Sequence, residues 1–126
     1  MSKDVQERGL EIRKSVLGAD YVEAAFRSAD DFNLPMQELV TEYCWGAVWG
    51  RETLSLKTRS MLNLAMIATL NRPHELRLHV RGALRNGVSK DEIREIFMQV
   101  AVYAGVPAGV DAFRLAREVF NEDKGA

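Results

Sequence analysis

Glu75-Leu76-Arg77-Leu78-His79 sets a carboxylate and an imidazole four residues apart. On a helix these two share a face, about 40° apart around the axis. Such a pair can trade a proton, and either member can serve as general acid or base. Leu76 and Ala83 lie on one side of His79, and Gly82 and Asn86 on the other. The imidazole therefore falls at the rim of an apolar stripe, half facing the core, where partial desolvation tunes a histidine. Gly82 leaves room beside the ring, at a cost in helix stability. The same spacing also fits a plain structural pair worth about 0.2–0.5 kcal/mol, so spacing alone leaves both readings open.

Metal and thiol chemistry fit less well. His74-Glu75 with His79 looks like the zinc signature His-Glu-x-x-His, but the histidines are five apart and thus about 140° apart on a helix. They cannot converge on one ion as that motif requires. His74 belongs instead to a polar face with Arg77, Arg81 and Arg85. Cys44 is the single cysteine; without a resolving partner it reads as a small buried hydrophobe. Trp45, Trp49 and Arg51 are bunched in one segment. Large aromatics beside a fork-shaped cation suit a pocket for a small carboxylate-bearing ligand. Tryptophans are equally common as core or subunit-contact anchors.

The elements that must position these residues are helical throughout, because the apolar spacing never settles into strict alternation. The pattern predicts helices over about Lys3 to Val16, with Val5, Leu10, Ile12 and Val16 apolar, and over Tyr21 to Ser28, capped by Asp20. A third starts at Asn33-Leu34-Pro35 and runs to Trp45, followed by an irregular Gly- and Trp-rich stretch to Arg51. Ser55 can cap a fourth helix to Leu70 whose nearly all-round apolar surface marks a buried central element. Pro73 opens the fifth and Gly87 ends it. Ser89-Lys90-Asp91-Glu92 is a capping box for the sixth, to Ala104, and Pro107 opens the seventh after Gly105. The tail from Asn121 to Ala126 should fray. Short connections favour antiparallel neighbours.

Composition fits this picture. The 126 residues form one domain, 1–126, long enough to bury a real core. They are 47% hydrophobic, and Lys+Arg of 17 against Asp+Glu of 18 gives a net charge of −1. Nothing here predicts a nucleic-acid or membrane partner. The apolar runs are too short to span a bilayer, Met1-Ser2-Lys3-Asp4 is not a signal peptide, and one cysteine fits a reducing cytoplasm. The fold class expected is all-α, a compact bundle of six to seven helices.

From Trp45 onward the chain resembles a known family. Trp45-Gly46 with Trp49 and Arg51, then Lys57-Thr58-Arg59-Ser60, is similar to the opening block of the 4-carboxymuconolactone decarboxylases. The run from Glu75 through Gly82 to Ser89 resembles their central block, and Glu92-Ile93 with Tyr103-Ala104-Gly105-Val106-Pro107-Ala108 their closing block. Thiol-dependent alkylhydroperoxidase-like proteins share the superfamily, with Cys-x-x-Cys ahead of the histidine. Aligned on His79, their cysteines fall at Arg72 and Glu75 and their upstream glutamate near Ser60. The thiolate and resolving thiol of that chemistry are therefore missing.

The resemblance implies an alkylhydroperoxidase-like helical subunit that assembles as a homo-oligomer, a hexamer or trimer. It implies a dicarboxylate lactone substrate from protocatechuate (aromatic acid) catabolism, and cofactor-free decarboxylation to the 3-oxoadipate enol-lactone with no metal. In that reading His79 donates the proton or stabilises the oxyanion, and Glu75 orients His79 or relays the proton. Arg51 clamps a carboxylate and Trp45 and Trp49 line the pocket. Arg81 is a second clamp, for a site shared with another subunit. The alternatives are a related cofactor-free lyase or isomerase on another small acid or lactone, and a non-catalytic helical oligomer.

Overall fold

Gly9, Arg13, Val16 and Leu17 recur at helical spacing and form the buried side of α1 (Lys3–Leu17). This computed structural model describes residues 3–122. The described residues are helical, with no strand, as the apolar spacing predicts. They divide into two compact units, Met1–Ser55 and Leu56–Ala126.

In the first unit α1 is followed by α2 (Ala19–Arg27), α3 (Leu34–Leu39) and a π-helix, π1 (Val40–Val48). Gly18, at φ 97°, takes the N-cap position of α2, and no side chain caps it, so Asp20 lies inside the first turn. The third helix predicted to reach Trp45 gives way at Val40 to i→i+5 winding, and the stretch expected to be irregular is helical as far as Val48. α1 packs directly on π1. Glycine makes the approach possible. A Cβ on Gly9 would overlap the Thr41 carbonyl oxygen, and one on Gly46 would overlap the Val5 carbonyl oxygen.

In the second unit α4 (Leu56–Leu70), α5 (Pro73–Arg85), α6 (Lys90–Ala104) and α7 (Val106–Glu122) pack around one core. Leu64, Val80, Ile93 and Phe97 are at its centre. Local signals set the ends. Pro73 lies in the first turn of α5, and Gly87 turns the chain after it at φ 90°. Ser89 Oγ accepts from the Glu92 amide at 3.0 Å while the Glu92 carboxylate accepts from the Ser89 amide at 2.9 Å, completing the capping box of α6. Gly105, at φ 118°, ends α6. α4 is not buried all round: Ser60, Leu64 and Ala68 face inward, while Leu62, Met66 and Leu70 are 47%, 54% and 66% exposed. A helix apolar on every side needs a partner on every side, and its outer face is left uncovered. Asn121 and Glu122 are helical in α7, and the rest of the tail expected to fray lies outside the described residues.

Candidate active site

His79 sits in the middle of α5. Leu76, Leu78, Val80, Gly82 and Ala83 are buried with it, so about 200° of the helix circumference is covered. The imidazole is consequently deeper than a rim position, at 7% exposure. Burial disfavours its charged form and lowers its pKa from the ordinary 6.5 to about 4, leaving it neutral at pH 7. Glu75, one turn earlier, is exposed in the first turn of α5, where a carboxylate is favoured by the helix dipole. The two share a helix and differ in depth: a carboxylate in contact with water, and a desolvated imidazole.

α5 is anchored at its far end and along its polar face. Asn86, its C-cap residue, donates from Nδ2 to Ser60 Oγ at 2.9 Å, and Ser60 is fully buried on α4. Arg77 donates to Glu118 at 2.7 Å. Arg81 forks onto Glu122, Nε to Oε2 at 3.0 Å and Nη2 to Oε1 at 2.8 Å. The guanidinium expected as a second clamp is thus engaged on α7. His74 is exposed. Among the described residues no three of His, Cys, Asp and Glu gather as metal ligands would.

In the Met1–Ser55 unit the structure brings Trp45 and Trp49 together. Both are buried, and their ring centroids are 4.6 Å apart with planes tilted by 31°. The Trp49 amide donates to the Cys44 carbonyl at 2.9 Å, five residues back, as π winding requires. Arg51 follows π1 and is exposed. Burial pushes the Cys44 thiol pKa up, with the Arg13 charge opposing it, so Cys44 carries a protonated thiol and is a poor nucleophile.

One cluster escapes a reading by motif. Arg13, 5% exposed, donates to Thr41 Oγ1 at 3.1 Å and to Gln37 Oε1 at 2.9 Å. Its signal was an arginine inside the buried stripe of α1, between Gly9 and Val16.

Comparisons with known proteins agree on one family. The profile of the Carboxymuconolactone decarboxylase family matches residues 35–118. The chain is 46% identical over 121 residues to nitrosuccinic acid decarboxylase of Metarhizium robertsii, covering 94% of this chain and 85% of that protein. It is 40% identical over 116 residues to 4-carboxymuconolactone decarboxylase of Acinetobacter baylyi, covering 92% and 87%. An uncharacterized 15.0 kDa protein of Paracoccus denitrificans is 36% identical over 85 residues, covering 65% and 63%. With a family profile spanning its helices from α3 to α7 and decarboxylases matching nearly all of its length, the chain belongs to the carboxymuconolactone decarboxylase family and is a carboxy-lyase.

Proposed function

We propose that this protein removes CO2, without a cofactor, from a small dicarboxylate that serves as its own electron sink, and that 4-carboxymuconolactone is the substrate. One observation carries the reading. Two decarboxylases that match more than 90% of this chain act, by name, on acids that share this chemistry. In the lactone, the bond from the ring carbon beside the ring oxygen to its carboxylate breaks. The electron pair passes through the ring double bond to the lactone carbonyl oxygen, CO2 departs, and a proton added to the ring carbon next to that carbonyl yields the enol-lactone. In nitrosuccinate the pair passes to the nitro oxygens instead. The enzyme has to hold the spectator carboxylate, stabilise the oxyanion and deliver one proton.

The residues support a division of those tasks. His79, neutral at pH 7, donates an N–H hydrogen bond to the developing oxyanion; an imidazolium acid is disfavoured by its burial. Glu75, in contact with water, relays the proton. Arg51 clamps the spectator carboxylate and the Trp45–Trp49 pair supplies an apolar wall. Arg81 serves only if another subunit draws it away from Glu122. The uncovered apolar face of α4, with Met98, Val102 and Tyr103 exposed on α6, supports a homo-oligomer, and the single cysteine fits a cytoplasmic place in aromatic-acid catabolism.

The higher identity to the nitrosuccinate enzyme favours a second substrate of the same class. Chelator-treated protein is incubated in parallel with freshly generated 4-carboxymuconolactone and with nitrosuccinate, and CO2 release is followed. Release from the lactone with the larger kcat/KM supports the proposal. Release from nitrosuccinate alone replaces the substrate and keeps the class. Release from neither, above the spontaneous rate, overturns it. Near wild-type turnover of His79→Ala removes the role given to His79, and an unchanged KM in Arg51→Ala removes the clamp.

A further inference from the structure

A run of i→i+5 winding seldom exceeds one turn, and such runs concentrate at functional sites. Here π1 extends over nine residues, and both tryptophans belong to it or cap it. The consequence is geometric. In an α-helix each step of four residues advances about 40° past a full turn. In the wider winding the same step falls short of a turn instead, so the line from Thr41 through Trp45 to Trp49 drifts the opposite way around π1. All three are buried, and the two indoles meet at 4.6 Å.

The winding changes at Val40, and one side chain bridges the change. Arg13 Nη2 donates to Gln37 Oε1, on α3, and its Nη1 donates to Thr41 Oγ1, in the first turn of π1. The Thr41 hydroxyl in turn donates to the Gln37 carbonyl at 2.7 Å. The guanidinium also lies over the Phe26 ring of α2, 5.7 Å from its centroid. A planar fork can hold two acceptors at a set separation, which a lysine ammonium, a point charge on a flexible stem, cannot. The backbone of π1 also lies directly against α1 at Gly9 and Gly46, where a Cβ would overlap the Thr41 and Val5 carbonyl oxygens.

We propose that Arg13 is a positioning residue: its fork on Gln37 and Thr41 sets the winding at the start of π1 and thereby stacks Trp45 on Trp49. For its catalytic consequence the proposal rests on the reading of that pair as the substrate pocket wall. The tryptophan geometry can be tested without it. Misplacing a pocket wall weakens substrate positioning without altering the groups that move the proton, so the effect belongs in KM.

The test uses the full-length protein and the variants Arg13→Lys, Thr41→Val and Thr41→Ser, each checked for fold by far-UV circular dichroism and thermal melting. The chain has two tryptophans, so the exciton couplet of their strong far-UV indole band reports the Trp45–Trp49 pair. Arg13→Lys and Thr41→Val are expected to lose about half or more of the couplet and to raise KM for the lactone roughly tenfold with kcat within about twofold. Thr41→Ser, which keeps the hydroxyl, should match the wild type in both. If Arg13→Lys does not fold, Thr41→Val carries the test. A wild-type couplet in folded Arg13→Lys and Thr41→Val overturns the proposal. A lost couplet with unchanged KM and kcat overturns its link to the substrate. If the wild type decarboxylates neither acid, the functional reading fails and the couplet alone decides the role of Arg13.

Discussion

Acidification should destabilise this protein through His79 over a defined window. The imidazole is almost fully buried and its pKa falls from 6.5 to about 4 on folding, because burial penalises the imidazolium. Below pH 6.5 the unfolded chain therefore binds a proton that the native state refuses. Stability conferred by the neutral ring is complete above pH 6.5, declines by about 1.4 kcal/mol per pH unit below it, and stops declining near pH 4. The full loss is on the order of 3 kcal/mol, a large part of the roughly 5–15 kcal/mol typical of a domain. The carboxylates act in a different range. Glu92 is held below the usual carboxylate pKa mainly by the Ser89 amide and Lys57, and Glu122 by Arg81. Their stabilisation is lost as pH falls below 4.5, where the contribution of His79 is nearly exhausted. The other histidine, His74, is exposed. Denaturant unfolding of wild type and His79→Gln at fixed protein concentration, at half-unit steps from pH 7.5 to 4.5, isolates the effect. Wild-type stability should fall steeply below pH 6.5, and His79→Gln, which has no imidazole to charge, should be nearly flat. Equal slopes in the two proteins would refute the assignment of a buried, neutral His79, and with it the oxyanion role built on that neutrality.

Gly46→Ala should cost at least about 1–3 kcal/mol, since its Cβ meets the Val5 carbonyl and nothing flexible can yield; a melting temperature equal to wild type would mean that α1 and π1 are not in backbone contact. Asn86→Ala leaves the buried Ser60 hydroxyl without its donor and should cost about 1–3 kcal/mol by chemical denaturation, whereas the double variant with Ser60→Ala should recover part of that loss. Ser89→Ala removes one half of the capping box and should lower stability by about 1 kcal/mol, with no change in kcat. Arg81→Ala breaks an exposed ion pair and should change stability by less than about 1 kcal/mol; a large rise in KM in that variant would bring Arg81 into the substrate site.

The reach of the sequence follows the range of the forces involved. Pro73, Gly87, the Ser89–Glu92 box and Gly105 act within a turn of where they stand, so the ends of α5 and α6 follow from the residues themselves. The i,i+4 relation of Glu75 to His79 and the ordered blocks from Trp45 to Ala108 are likewise properties of the chain order, and they were sufficient to identify the family. Three features depended on packing between distant segments. No residue string marks i→i+5 winding; π1 exists where Gly9, Gly46 and Arg13 let α1 lie directly against it. The all-round apolar pattern of α4 was compatible with full burial, yet its neighbours within the chain cover one side only, leaving Leu62, Met66 and Leu70 exposed on the subunit. Arg81 looked available, but its guanidinium closes on Glu122, 41 residues along the chain. The same holds for His79. Its identity and spacing are in the sequence, whereas its neutrality at pH 7 comes from the depth at which tertiary packing seats the ring, because desolvation depends on what covers a group.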